Sequence, residues 1–377
     1  MRKYRLFAPG PTAVAESASL AMAGSIIHHR TRAFEAVLEE VRRGLKWLFQ
    51  TKNEILILAS SGTGAMEGAV TNLFSKGEKV IVVDGGKFGE RWWKICKAYG
   101  VEPEIIKVPW GEAVSPADVE KLLKKGGYKG VLVQASESST GVTHPIEKLA
   151  DLTRGMKDCL LVVDAISALG AMDLPMDRWG IDALIGASQK ALALPPGLAL
   201  IGLSDKAWQA AEKGNLPRFY FDFRKELKGL VTNQTAYTPA IGLIFGLAER
   251  LKAMQTEGLQ PLFERHQRLS DGMRAGVTAL GLALFAKSPV NSLTAVIAPS
   301  GIDGQKIYKT LQEKYNLTIA GGQDDFKGKI FRLAHMGHYD DLDVVTVLAA
   351  LEWTLADLGY RFEMGAGVGA AMKVLHG

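Results

Sequence analysis

The chain has 377 residues, 47% of them hydrophobic and 23% charged, with a formal net charge of +5. That much apolar material fills a large core and more than one domain, while every apolar run is too short, or too interrupted by Pro, Glu and Asp, to cross a bilayer. Basic and acidic residues are interleaved, which leaves no stripe for nucleic acid, and the two cysteines, Cys96 and Cys159, have neither CxxC spacing nor a histidine cluster beside them. Both are read as core thiols, and no metal site is expected. The basic start, Met1-Arg2-Lys3-Tyr4-Arg5-Leu6, runs into Pro9-Gly10-Pro11 without the apolar centre of a signal peptide, so a cytoplasmic location is expected.

From residue 30 to about 205, helix-period segments alternate with short apolar ones, which predicts an α/β layer on a mainly parallel sheet. Seven strands are expected, at 55–59, 79–83, 104–108, 131–135, 160–163, 183–187 and 198–202. Amphipathic helices at 34–49, 91–99, 116–125 and 146–156 separate them and should cover both faces of the sheet. After Thr238-Pro239 the alternation stops. Long helices are expected at 240–257 and 262–280, then strands at 292–297, 318–320 and 330–334, with helices at 304–315 and 340–358. The chain therefore divides into an N-terminal arm (1–13), a large α/β domain (14–258) and a smaller C-terminal α+β domain (259–377), and the glycine-rich stretch 365–371 reads as a loop entering a final helix.

Three constellations at strand ends carry the chemistry. Ser60-Ser61-Gly62-Thr63-Gly64-Ala65-Met66-Glu67-Gly68 follows a strand and precedes a helix, where small residues and free N–H groups let an anion approach the backbone. Its glycines are spaced GxGxxxG, not the GxGxxG of a dinucleotide fingerprint, although Asp84 does close the next strand. Asp164 ends the apolar run Val162-Val163, a position that suits either chemistry or helix capping. Lys190, in Ala187-Ser188-Gln189-Lys190-Ala191-Leu192, has small and apolar neighbours that strip its solvation and favour the neutral amine. Taken singly, a lysine on a turn is most often a surface lysine. Taken together, the three meet the needs of pyridoxal phosphate: donors for its phosphate, an acid for its ring nitrogen and an amine for its aldehyde.

With these motifs, with Ala8-Pro9-Gly10-Pro11-Thr12, Glu137-Ser138-Ser139-Thr140-Gly141 and Phe331-Arg332-Leu333, and above all with Ser-Gln-Lys-Ala-Leu followed by Pro195-Pro196-Gly197, the chain resembles the class V aminotransferases of fold type I. The likeness is to the serine-pyruvate, alanine-glyoxylate and serine-glyoxylate group, over nearly the whole length. It implies that Lys190 is the Schiff-base lysine, Asp164 the partner of the pyridine nitrogen, and Thr63, Gly64 and Ala65 the phosphate loop. It implies Ser138 and Gln189 near the ring hydroxyl, Phe88 stacked on the ring, and Arg332 on the substrate carboxylate, a task suited to a bidentate guanidinium. Thr235 and Thr238 match positions that the second subunit contributes to the phosphate site, so a homodimer with shared sites is implied.

Phe88 stands where many relatives have Trp, Ala65 where some have His, and Thr235 where some have Tyr. The resemblance implies a ping-pong exchange of an amino group between a small neutral donor, serine or alanine, and glyoxylate or pyruvate. Another class V chemistry, a lyase or a phosphonate transaminase, remains an alternative. So, more remotely, does a nicotinamide-dependent oxidoreductase built on Gly62, Gly64 and Asp84. His28, His29 and Arg30 form a cluster that the resemblance puts near the site entrance, whereas His335 and His338 are read as structural.

Overall fold

The computed structural model describes residues 3–376. Its central sheet contains β1 (Ile55–Leu58), β2 (Lys79–Asp84), β3 (Glu102–Lys107), β4 (Tyr128–Gln134), β5 (Leu160–Asp164), β6 (Ala183–Ala187) and β7 (Ala199–Leu203). The order across it is β1-β7-β6-β5-β4-β2-β3, and β7 alone runs against its neighbours. Strands β5, β6 and β7 are buried throughout, as near-continuous apolar runs between two helical layers must be. Each strand lies within two residues of its expected limits except at the start of β4, which begins three residues early.

The helices form where the apolar period meets a cap. In α1 (Arg32–Phe49) Thr31 Oγ1 accepts from Phe34 N, and Phe34, Leu38, Val41, Leu45 and Leu48 make one buried stripe. Helix α2 (Gly62–Leu73) follows β1, and α3 (Lys87–Ala98) follows β2. Helices Glu16–Met22, Asp205–Lys213 and Phe223–Leu230 are additional to those expected from periodicity.

A second apolar core gathers Phe7 with residues from Leu269 to Leu375. Around it lie β8 (Leu293–Ile297), β9 (Ala320–Gly321) and β10 (Ile330–Ala334), an antiparallel sheet in the order β8-β10-β9. The expected strand at 318–320 is split between two sheets. Leu317–Thr318 pairs in parallel with Arg5–Leu6 of the arm, while Ala320 pairs with Arg332. Long helices α4 (Ile241–Glu257) and α5 (Leu259–Ala279) connect the two cores, with Leu262 packed in the first and Leu269 in the second.

The stretch 365–371 is not the expected loop: helix α6 (Ala366–His376) begins within it. Gly367 there is a packing residue, since a Cβ would stand 2.9 Å from Leu280 Cγ. The glycine that looked like looseness in the sequence lets two helices close on each other.

Candidate active site

Because all central strands except β7 run the same way, their carboxyl ends open on one side, and every strand-end constellation lands there. Asp164 is the last residue of β5, and Lys190 lies three residues beyond β6. Both are nearly sealed, at 4% and 8% exposure. Burial pushes the Lys190 amine down to about 8, against the opposing pull of Asp164. Burial likewise pushes Asp164 up to about 6, against a 2.8 Å hydrogen bond from Ile166 N.

The arm closes over the lysine. Lys190 Nζ donates to Pro9 O at 2.6 Å, and Thr12 Oγ1 donates to Lys190 O at 2.8 Å. Gly10 has φ +153, and a Cβ on it would fall 2.2 Å from Lys190 Nζ, so only glycine lets the arm come so close. Next to the lysine, Gln189 Oε1 is buried without a hydrogen-bond partner among the described residues. An orphaned acceptor of this kind is costly unless a donor from elsewhere meets it.

Phe88 sits on the first turn of α3, whose N-cap residue Gly86 provides no side-chain acceptor. Glu137, fully buried, takes that part instead: its carboxylate accepts from Phe88 N at 3.1 Å, Gly89 N at 3.0 Å, Gln134 Nε2 at 2.9 Å and Ser139 N at 3.1 Å. A carboxylate at a helix start complements the dipole, and these bonds hold the turn that carries Phe88. Burial raises the Glu137 pKa, while these donors oppose the rise. The same charge contributes to the upward shift of Asp164.

Arg332 projects from the middle of β10 into this region at 7% exposure. Nε and Nη2 donate to Gly321 O at 3.0 and 2.8 Å, and Nη1 donates to Ser138 O at 2.6 Å. Burial lowers it to about 10, so it stays a cation at neutral pH. Five N–H groups less these three bonds leave two free to take a carboxylate. At the other end, Thr63 and Gly64 lie in the first turn of α2, whose N-cap residue Ser61 makes no side-chain cap bond. Gly64 N donates to Ser61 O at 2.9 Å, which leaves the N–H groups of Gly62, Thr63 and Ala65 available to an anion.

The family model described as Aminotransferase class-V matches residues 13–327. The chain belongs to the class V aminotransferases. Over 99% of its length it is 43% identical to a Synechococcus sp. (strain PCC 6716) protein named soluble hydrogenase, small subunit, of which it covers 98%. It is 36% identical to the L-aspartate--glyoxylate aminotransferase of Paracoccus denitrificans, across 98% of this chain and 95% of that protein. Among solved structures, the ureidoglycine-glyoxylate aminotransferase of Bacillus subtilis superposes with a TM-score of 0.95 at 28% identity, covering 100% of this chain and 99% of that one.

As an aminotransferase of fold type I, the chain brings Lys190, Asp164, Gln189, Phe88, Thr63, Gly64, Ala65, Ser138 and Arg332 to one end of its sheet and its adjoining small sheet. Thr235 and Thr238 are elsewhere, on the segment between Phe223–Leu230 and α4, where Thr235 Oγ1 donates to Tyr237 O at 2.6 Å. No hydrogen bond among the described residues ties them to Lys190 or Asp164. The His28 cluster is fastened to that same segment: Arg30 Nη1 donates to Gln234 Oε1 at 2.7 Å, and the rings of His28 and His29 stack at 4.6 Å.

The nicotinamide alternative fails on topology. Strands β1 and β2 are separated by four others, so Gly62 and Asp84 do not share the neighbouring strands that a dinucleotide fold requires. The Asp84 carboxylate is occupied by Trp93 Nε1 at 2.7 Å and Lys107 Nζ at 2.5 Å. The thiols of Cys96 and Cys159 are buried and raised to about 12 and 11 by desolvation, which makes them inert. His335 is buried with Nε2 at 2.9 Å from Thr294 Oγ1, and His338 lies 3.1 Å from Glu16 on the surface. Two site residues escaped the sequence reading. Glu137 stood inside a quoted motif without a role, and Arg91 was passed over as part of an amphipathic helix.

Proposed function

We propose that this aminotransferase binds pyridoxal phosphate at Lys190 and moves an amino group from serine or alanine to glyoxylate or pyruvate, as a cytoplasmic homodimer. The observation that carries it is the buried pair Lys190 and Asp164, whose pKa values are driven toward each other, one down to about 8 and one up to about 6. Between those values the amine is protonated and the acid charged; once an aldehyde consumes the amine as a neutral nucleophile, a low pKa is what makes it reactive. The orphaned Gln189 Oε1, the uncapped start of α2 and the Phe88 ring fit a flat aromatic cofactor with a donor group and a phosphate.

When bound, pyridoxal phosphate supplies an aldehyde that condenses with amines and a ring that draws electrons from the substrate α-carbon. The chain does the rest. The Asp164 carboxylate would keep the pyridine nitrogen of the bound cofactor protonated. Arg332 takes the substrate α-carboxylate on its two free N–H groups, and Phe88 and the arm exclude water from the reacting face. Lys190 Nζ would act as general base for the substrate α-proton and, as the ammonium so formed, would deliver that same proton to the aldehyde-derived carbon of the cofactor. Glyoxylate is the shared word in the names of the Paracoccus and Bacillus relatives, which supports a small oxo acid as acceptor. We divide the chain at 13/14 and 258/259, so that α5 opens the small domain that carries Arg332.

Purified protein is expected to be yellow, to take a borohydride label on Lys190 and to bleach with L-serine or L-alanine. Double-reciprocal plots across donor and acceptor concentrations should be parallel. Colourless protein with no affinity for pyridoxal phosphate overturns the proposal. A panel of serine, alanine and aspartate against glyoxylate and pyruvate identifies the pair, and bleaching without release of an oxo acid would instead indicate a lyase.

A further inference from the structure

Arg91 lies three residues after Phe88 on α3, and the two side chains share one face of the helix. Its guanidinium carbon stands 4.9 Å from the centre of the Phe88 ring. Nη1 donates to Thr63 Oγ1 at 2.9 Å, across to the first turn of α2. The nearby acids are taken by other groups. Glu90 pairs with Lys87 and Lys94, and Glu67 accepts from Tyr99 Oη at 2.5 Å. Among the described residues no carboxylate forms an ion pair with Arg91. A half-buried cation held in place by a threonine and a ring, with its remaining N–H groups uncommitted, is a group awaiting an anion.

The position says which anion. Thr63 is the second residue of α2, in the uncapped first turn, and an oxygen that accepts from a guanidinium has its own hydrogen left to donate. The two residues together present a hydroxyl and a forked cation beside the start of a helix, the donor set of a phosphomonoester site. Ala65, in the same turn, offers only its backbone. We propose that Arg91 provides the positive side-chain charge for the cofactor phosphate, acting with Thr63 as one donor unit. This rests on the pyridoxal phosphate function proposed above. Its rivals are a purely structural Arg91 and an Arg91 that reads a second carboxylate on a donor such as aspartate.

Pyridoxal, which lacks the phosphate, separates them. Affinities of the cofactor-free protein for pyridoxal phosphate and for pyridoxal, read from visible absorbance, should differ in how they respond to Arg91→Gln. The expected result is a loss of about 10- to 100-fold for pyridoxal phosphate, the weight of a charge-assisted hydrogen bond, with pyridoxal unchanged. Arg91→Lys should recover part of the loss. Inorganic phosphate should raise the melting temperature of the cofactor-free wild type and not of Arg91→Gln. Equal losses for both aldehydes would show a structural role and overturn the proposal. So would unchanged affinity for both, with a KM that rises for aspartate alone. If Arg91→Gln does not fold, Thr63→Val tests the same unit and must show the same selectivity between the two aldehydes. Wild-type protein that binds neither aldehyde would instead defeat the cofactor assignment itself, whatever Arg91 does.

Discussion

The two ends of the site are built on different physics. At the ring end, Asp164, Glu137 and Lys190 come from one chain, are sealed from water and have their protonation set by burial and by each other. At the end proposed to hold the phosphate, Thr63 and Arg91 are partly exposed, the helix start makes no side-chain cap bond, and Thr235 and Thr238 line a separate cavity with Ala59, at the entry to the Thr63 loop. The difference follows the work each end performs. Proton transfer needs a dry, low-dielectric pocket where shifted pKa values have force, whereas holding a phosphate needs converging donors that can come from several places, including a second copy of the chain.

If the ring end is the chemical one, its variants should cost most. Lys190→Ala removes nucleophile and base together, and kcat for transamination should fall by about 10⁴-fold or more, the upper range for a lost proton-transfer group. Pyridoxal phosphate should still bind, because the phosphate end is intact. Asp164→Asn should lower kcat by about 10²- to 10⁴-fold and also change the pH behaviour. In the cofactor-free wild type Asp164 takes up a proton as pH falls through about 6; a protonated pyridine nitrogen beside it would hold the carboxylate charged to lower pH, so the acid limb of the rate profile should lie below 6 and be absent from the variant.

Stability should move the other way. The native state holds the Asp164 proton up to about 6, the unfolded chain only to 3.8, so the stability of the cofactor-free protein declines as pH rises between those values. At neutral pH, Asp164→Asn should therefore raise its melting temperature. A rise of roughly 3 kcal/mol in unfolding free energy corresponds to a shift of this size. A variant that is both slower and less stable would mean that Asp164 is a structural acid, and the contrast between the two ends would collapse.

These groups were legible to different degrees, for physical reasons. Asp164 and Lys190 could be found because a strand end is a local pattern: an apolar run stops and a charge follows. The seven strands were readable for the same reason. Glu137 and Arg91 were not, since their importance lies in partners 48 residues back for Glu137 and 28 residues back for Arg91, and neither distance leaves a trace in periodicity. Gly367 misled, because a glycine in a tight helix pair and a glycine in a loop look alike until the neighbouring helix is in place. Residues 317–320 misled too, since a strand that changes sheets after two residues depends on the arm it meets.

Arg332, held on the small sheet by Gly321 O and Ser138 O, should show an intermediate effect. Arg332→Ala removes a charge-assisted bidentate contact to substrate, and kcat/KM should fall about 10- to 100-fold, with the visible spectrum of the bound cofactor unchanged. Arg332→Lys should recover little, since an ammonium cannot bridge Gly321 O, Ser138 O and a carboxylate at once. A spectrum that changes with Arg332→Ala would place it on the cofactor and not on the substrate.

The smallest effect should belong to Thr235 and Thr238, which make no hydrogen bond to Lys190 or Asp164 among the described residues. The double substitution Thr235→Ala, Thr238→Ala should weaken pyridoxal phosphate affinity by roughly 10-fold, two hydrogen bonds' worth, and leave kcat at saturating cofactor nearly unchanged. Mixing tells whether the donors cross between subunits. In a dimer of one Lys190→Ala chain and one Thr235→Ala, Thr238→Ala chain, crossing donors give one site both defects and the other none. The mixture should then regain a population of sites with wild-type cofactor affinity and wild-type turnover. If the threonines served their own chain, every site with an intact lysine would keep the weakened affinity, and mixing would recover nothing. That result would make the phosphate end as self-contained as the ring end, and the division of labour between them would then have to rest on burial alone.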